Sequence, residues 1–180
     1  MSFLTVNALF GSTFLKKRKR NFIVRTQKNS HHRSVRKRQR VAPKFYLMDT
    51  GVKRAMEGSL RIPLEPGTYA YGKAFEHRVI LEAWWANHYG KLDYKMSYLR
   101  TKDDAEIDLV IERPGEKDLL IEIKSSPQVK ERDARKLEQF LKDWKRPASA
   151  QIWCLANASQ RIGRCDVMPW RQGLSEAGLK

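Results

Sequence analysis

The chain has 180 residues and a formal net charge of +16, a length that suits one ordinary domain and hardly two. Of its 36 basic residues, 13 fall within residues 1–48, a segment without Asp or Glu, which leaves 23 basic and all 20 acidic residues for 49–180. We therefore predict a basic and largely disordered N-terminal arm over residues 1–40, followed by one folded domain over 41–180. The apolar start is too short to span a bilayer and precedes its basic cluster, the reverse of a secretory signal.

The arm contains two basic runs, KKRKR at 16–20 and RSVRKRQR at 33–40. Such runs favour a phosphate-rich partner by counterion release, although a solvated arm without a specific partner has the same composition. An arginine-rich, acid-free start also suits an organellar transit peptide; we expect a cytoplasmic protein with no membrane partner. The residues predicted to contact nucleic acid are Lys16, Lys17, Arg18, Lys19, Arg20, Arg36, Lys37, Arg38 and Arg40.

The predicted elements begin with a short strand at 44–49 and a helix capped by Thr50. Residues 59–68 contain two prolines and a glycine and are predicted to form a loop. Apolar residues recur at helical spacing over 69–89, where Gly90 suits the end of a helix, and they nearly alternate over 91–100, as in a strand.

The stretch AEIDLVIERPGEKDLLIEIKSS, residues 105–126, predicts two strands joined by a Pro-Gly turn. An amphipathic helix over 129–144, strands at 150–156 and 163–170, and a short final helix follow. The core order is αβββαβ, which predicts an α/β fold with a mixed sheet flanked by helices. Cys154 and Cys165 fall in two of these strands and are expected to be buried thiols.

Strand alternation places charged residues together on the hairpin. It predicts that Asp108 lies across from Glu122, with Cβ atoms about 4.5–5.5 Å apart. It also predicts that Lys124 shares the face of Glu122. The residues predicted to share the opposite, apolar face of the first strand are Ile107, Leu109 and Ile111.

Two facing carboxylates repel unless a cation lies between them, and Mg²⁺ (or Mn²⁺) binds such oxygens while keeping several waters. Asp108 and Glu122 are thus candidate metal ligands and catalytic residues, with Lys124 near the attacking water or scissile phosphate. Glu76, at the edge of an apolar helix stripe, is a candidate third ligand or orienting base. The same pattern also describes salt bridges on a half-solvated sheet. His77 is expected on the helix surface, and Trp84 and Trp85 in helix packing.

Four blocks carry a family resemblance: KFYLMDTGVKRAMEG, GKAFEHRVILEAW, YLRTKDDAEIDLVIE and LLIEIKSS. Over roughly residues 35–170 they resemble the C-terminal domain of a prokaryotic family of AAA+ ATPases, catalogued as domain of unknown function 4143. That domain is similar to the PD-(D/E)xK nuclease superfamily, which has a restriction-endonuclease-like core. The resemblance implies that Glu76 is the helix glutamate, Asp108 the first metal-binding acid, Glu122 the second and Lys124 the catalytic lysine.

The chain departs from that family because it contains no GxxxxGK[ST] phosphate loop, so ATP hydrolysis by that mechanism is excluded. The resemblance then implies a nuclease-like domain that hydrolyses or binds nucleic acid, with DNA favoured over RNA. The protein partner that this leaves open is an ATPase or another protein acting in trans. The alternatives are a non-catalytic module that binds nucleic acid or protein, and a truncated remnant of an ATPase-family protein.

Overall fold

The computed structural model describes residues 23–28, 44–101 and 105–180, and for 23–28 the backbone alone. The strands within these residues are β1 (Ile23–Lys28), β2 (Lys44–Leu47), β3 (Lys95–Arg100), β4 (Glu106–Glu112), β5 (Asp118–Ile123), β6 (Ala148–Cys154), β7 (Gln160–Ile162) and β8 (Cys165–Pro169). The helices are α1 (Thr50–Met56), α2 (Tyr69–Tyr89), α3 (Glu131–Lys142) and α4 (Trp170–Glu176). Across the described residues, no helix combines the length and apolarity needed to cross a membrane.

The strands form one mixed sheet in the order β2-β1-β3-β4-β5-β6-β8-β7. Strand β4 runs antiparallel to both of its neighbours, β3 and β5, whereas β6 lies parallel to β5 and β8 parallel to β6. Helix α3 makes the crossover from β5 to β6, since a parallel neighbour requires a long connection. The predicted α/β fold, a mixed sheet flanked by helices, is confirmed, and its elements follow in the predicted order.

Each face of the sheet has its own hydrophobic core. The core on the α2 face includes Val79, Ile80 and Trp153, and α4 packs on the same side through Trp170. The core on the α3 face contains Leu137 and Phe140 of that helix and the strand residues that meet them. The two buried cysteines, both free, belong to this second core: Cys154 and Cys165.

Local sequence explains the ends of the elements around the candidate site. Helix α2 begins after Thr68, whose hydroxyl oxygen accepts a hydrogen bond from the N–H of Tyr71, and ends before Gly90, as predicted. The turn between β4 and β5 contains Gly115 with a φ of 75°, a conformation that favours glycine. Helix α1 differs in its cap: the Asp49 carboxylate, rather than Thr50, accepts the first N–H bonds, because Asp49 keeps an extended backbone.

Strand β1 falls within the segment for which the sequence predicted no regular structure. Its sequence, IVRTQK, contains three β-branched residues, which favour an extended backbone. It pairs antiparallel with β2 and parallel with β3. The rest of the predicted arm lies outside the described residues.

A β-bulge in β4 alters the predicted alternation. Ser97 of β3 pairs with Val110, and Leu99 pairs with Ile107, so two residues of β4 stand opposite the single residue between them on β3. As a result Ile107 packs in the core on the α3 face, while Leu109 packs in the core on the α2 face. The prediction that Ile107 shares the face of Leu109 is therefore wrong, because an extra residue reverses the alternation.

Candidate active site

The candidate site lies where β4 begins and β5 ends. Leu109 pairs with Ile121 across the two strands, directly next to the positions of Asp108 and Glu122. That these two acids face one another across the hairpin stays a prediction. Lys124 directly follows β5, and its backbone N–H donates to the carbonyl of Trp153 on β6, which holds this end of the chain in the sheet.

Asp108 is a half-buried carboxylate. Its Oδ2 atom accepts a hydrogen bond from the N–H of Ile123, at 2.8 Å. Burial raises the pKa of Asp108 well above its usual value, and the negative charges of Glu122 and Glu76 raise it further. The Ile123 N–H and the charge of Lys44 lower this pKa but do not compensate. Asp108 is thus the acid of this site that most needs a proton or a cation.

Glu122 is held by two lysines. Its Oε1 atom lies 2.9 Å from Nζ of Lys124 and 3.7 Å from Nζ of Lys136 on α3. Lys124 also lies 3.5 Å from Asp133 of the same helix. Burial disfavours the charged form of Lys124, but the charge of Glu122 and its hydrogen bond outweigh burial and raise the lysine pKa. Lys124 is therefore a cation at neutral pH.

Glu76 has partners on both carboxylate oxygens. Its Oε1 atom lies 3.4 Å from Nζ of Lys44 and accepts a hydrogen bond from the hydroxyl of Tyr46, and its Oε2 atom lies 2.6 Å from Nζ of Lys73. Burial opposes ionisation of Glu76, but the charges of the two lysines outweigh it and lower the pKa. Burial and the Glu76 charge raise the pKa of Tyr46, which remains a neutral donor.

The predicted acids divide between the two faces of the sheet. Glu76 belongs to α2. Glu122 lies on the α3 face, because side chains alternate along a strand and its neighbours Ile121 and Ile123 pack in the core on the α2 face. Among the described residues, no three His, Cys, Asp or Glu side chains are grouped so that they could hold a metal ion. Asp108 and Glu122 stay the predicted metal ligands, and carboxylate oxygens suit a hard divalent cation that keeps water ligands. Glu76 as a third ligand stays a prediction.

Sequence reasoning missed Lys44, which links Glu76 to a further acid. Its ammonium group forms an ion pair with Glu106 of β4 and lies 5.2 Å from the ring centroid of Tyr98. Lys44 stands 32 positions from Glu76, on a strand whose sequence has no link to the hairpin. The only signal in the sequence was a lysine at the start of the predicted strand at 44–49. That signal does not identify Glu76 as the partner of this lysine.

His77 is not on the helix surface, contrary to the prediction. Its side chain is buried, and its Nε2 atom lies 2.7 Å from the carbonyl oxygen of Leu47. The ring also meets Tyr46 edge to face. Strand β2 therefore covers this side of α2, which the sequence of the helix alone does not reveal. Trp84 and Trp85 pack against the core on the α2 face, as predicted.

The basic residues predicted to bind nucleic acid all lie outside the described residues: Lys16, Lys17, Arg18, Lys19, Arg20, Arg36, Lys37, Arg38 and Arg40. Their role stays a prediction.

Comparison with known proteins identifies the family. Residues 71–172 match the family described as Domain of unknown function (DUF4143), and this span is more than half of the chain. The chain belongs to the DUF4143 family. No curated protein and no solved structure matches it. The span that matches DUF4143 contains Glu76, Asp108, Glu122 and Lys124, together with Lys73, whereas Lys44 precedes it.

Proposed function

We propose that this DUF4143 domain is a metal-dependent nuclease that acts on DNA. The observation that carries the proposal is the placement of two carboxylates, Asp108 half-buried at the start of β4 and Glu122 buried near the end of β5, with Lys124 beside Glu122. The resemblance of the four sequence blocks to domains similar to PD-(D/E)xK nucleases supports the same reading, because that superfamily places an acid and a Glu-x-Lys motif on consecutive strands.

In this proposal Asp108 and Glu122 hold Mg²⁺ or Mn²⁺. The bound ion would acidify a water and neutralise the charge that develops on the scissile phosphate. Asp108 orients its carboxylate through the Ile123 N–H, which leaves its other oxygen for a ligand. Lys124 supplies a fixed positive charge for the attacking water or the phosphate, and Glu122 holds its ammonium group in place.

The test is a cleavage assay on plasmid and single-stranded DNA with Mg²⁺ or Mn²⁺. We expect cleavage by the wild type and its loss, by a factor of about 10² or more, in Asp108→Asn and Lys124→Gln. Glu112→Gln is the matched control, since Glu112 is also a buried acid of β4 paired with cations but lies at the other end of the strand. Metal-dependent cleavage that survives in Asp108→Asn would exclude this active site.

A second candidate function is a module that binds nucleic acid or protein without catalysis. The observation in its favour is that Glu76 and Glu122 each have two lysine partners, a charge balance that requires no metal. This candidate expects DNA binding without cleavage, and binding that is unchanged in Asp108→Asn. A truncated remnant of an ATPase-family protein would share this lack of activity.

We further propose that the domain acts in the cytoplasm with an ATPase in trans. The resemblance to domains attached to AAA+ ATPases supports this partner. Co-purification from cells that express a tagged chain would test it, with recovery of a phosphate-loop ATPase as the expected result. Recovery of no ATPase above the level of an untagged control would count against the partner.

A further inference from the structure

Glu76 is saturated by its protein partners. One carboxylate oxygen meets Lys44 and Tyr46, and the other meets Lys73. The Glu76 carboxylate therefore stands between two ammonium groups, of which that of Lys44 also pairs with Glu106. A carboxylate in this arrangement fixes the positions of cations rather than offering free oxygens to a metal.

The two lysines lie at the solvent boundary of the site. The Lys44 side chain is 23% exposed and that of Lys73 is 48% exposed, whereas the Glu76 side chain is 9% exposed. Lys73 makes its ion pair with Glu76 alone among the described residues. Since an ammonium group has three N–H donors, Lys73 retains donors for a second anion.

Lys73 also lies near the residues proposed to act on phosphate. Its neighbour Gly72 packs against Ser125, so that a Cβ atom added at Gly72 would stand 3.4 Å from the Ser125 hydroxyl oxygen. Ser125 directly follows Lys124. The start of α2 and the end of β5 are therefore adjacent, and each of them carries a lysine there, Lys73 and Lys124.

We propose that Lys44 and Lys73 bind backbone phosphates of the DNA substrate and that Glu76 is their positioning residue. The inference rests on the proposed function for the identity of the substrate. It assigns the two lysines to binding and removes Glu76 from the metal site. The neighbouring phosphates of one strand would meet Lys73 at the exposed margin and Lys44 nearer to Asp108.

The experiment measures binding of a short fluorescein-labelled DNA duplex to the full chain by anisotropy, in EDTA and over a range of salt concentrations. Each phosphate contact contributes about −0.9 to the slope of log K against log salt. We expect Lys44→Gln and Lys73→Gln each to make the slope shallower by about that amount. The control Lys95→Gln should keep the wild-type slope, because Lys95 is similarly exposed, at 59%, and also pairs with a buried glutamate, Glu112.

The positioning role of Glu76 is tested by combining substitutions. If Glu76 acts through Lys73, the effect of Lys73→Gln on DNA affinity falls to less than half in a Glu76→Gln background, because a released lysine no longer binds as well. Full additivity of the two substitutions would remove the positioning role. Since Lys44→Gln also loses contacts to Tyr98 and Glu106, Lys73→Gln decides the case if the Lys44 variant does not fold.

The outcomes separate this inference from the nuclease proposal. Equal slopes for Lys73→Gln and Lys95→Gln, or no DNA binding by the wild type, overturn the phosphate contacts. Shallower slopes without metal-dependent cleavage support the contacts and count against hydrolysis. Cleavage with unchanged slopes supports hydrolysis and overturns the contacts.

Discussion

The Oδ2 atom of Asp108 accepts a hydrogen bond of 2.8 Å from the backbone N–H of Ile123. This bond joins the bulged strand β4 to the end of β5 and fixes a carboxylate whose charged form is disfavoured by burial and by two nearby acids. The site therefore carries an unfavourable charge in the absence of a cation, and several properties of the protein depend on it.

Asp108→Asn should stabilise the fold at neutral pH. The pKa of Asp108 is raised in the folded state, so ionisation costs stability as pH rises above about 3.9, its ordinary value, and through the folded pKa. Asn keeps an oxygen for the Ile123 N–H and removes the charge. In urea unfolding at pH 7, the midpoint of Asp108→Asn should be higher than that of the wild type. This difference between the two midpoints should become smaller at low pH. Glu116→Gln, a change at an acid whose side chain is 55% exposed, serves as the control; a less stable Asp108→Asn at neutral pH would contradict the argument.

Metal should stabilise the wild type more than Asp108→Asn. An ion that binds the folded state alone raises the free energy of unfolding by about 2.7 kcal/mol when its concentration is about 100 times Kd. A thermal melt with Mn²⁺ should therefore shift upward for the wild type and remain in place for Asp108→Asn and Glu122→Gln. An equal shift in all three proteins would indicate that Mn²⁺ binds elsewhere.

His77 should make stability depend on pH near 6. Burial lowers the pKa of His77, although the Leu47 carbonyl opposes the change. A base with a lowered folded pKa contributes stability that is present above the unfolded pKa of about 6.5 and is lost as pH falls below it. His77→Gln keeps a donor for the Leu47 carbonyl and should flatten the melting temperature between pH 7 and pH 5. A His77→Gln variant whose melting temperature falls between pH 7 and pH 5 as steeply as that of the wild type would contradict this account.

Gly173→Ala should destabilise the fold by about 1–3 kcal/mol. A Cβ atom at Gly173 would overlap the indole of Trp153, which is fully buried in the core on the α2 face. Gly72→Ala is the matched change in another helix: its Cβ would meet only the Ser125 hydroxyl, at an ordinary distance. In chemical denaturation, the free energy of unfolding of Gly72→Ala should equal or exceed that of the wild type, because Ala is favoured over Gly in helices by up to about 1 kcal/mol. A neutral Gly173→Ala would mean that α4 moves away from the sheet at little cost.

Much of the fold could be predicted because its signals are local. The helix at 69–89 has a threonine cap before it and a glycine after it, and the Pro-Gly turn sets the register in which Leu109 pairs with Ile121. The contribution of Lys44, the burial of His77 and the bulge at the start of β4 could not be predicted. The first two depend on β2 packing against α2, and the third depends on the pairing of β3 with β4, where β4 has one extra residue. These contacts join segments far apart in the sequence and leave no local pattern.

Strand β5 is buried at all six positions and contributes side chains to both hydrophobic cores. In native-state hydrogen exchange such a segment opens only when most of the domain opens, since its amides are covered from both sides. Glu122 lies within this strand and Lys124 directly follows it. We therefore expect the residues of the proposed chemistry to adjoin a slowly exchanging segment, so that their charges need little rearrangement when a substrate arrives.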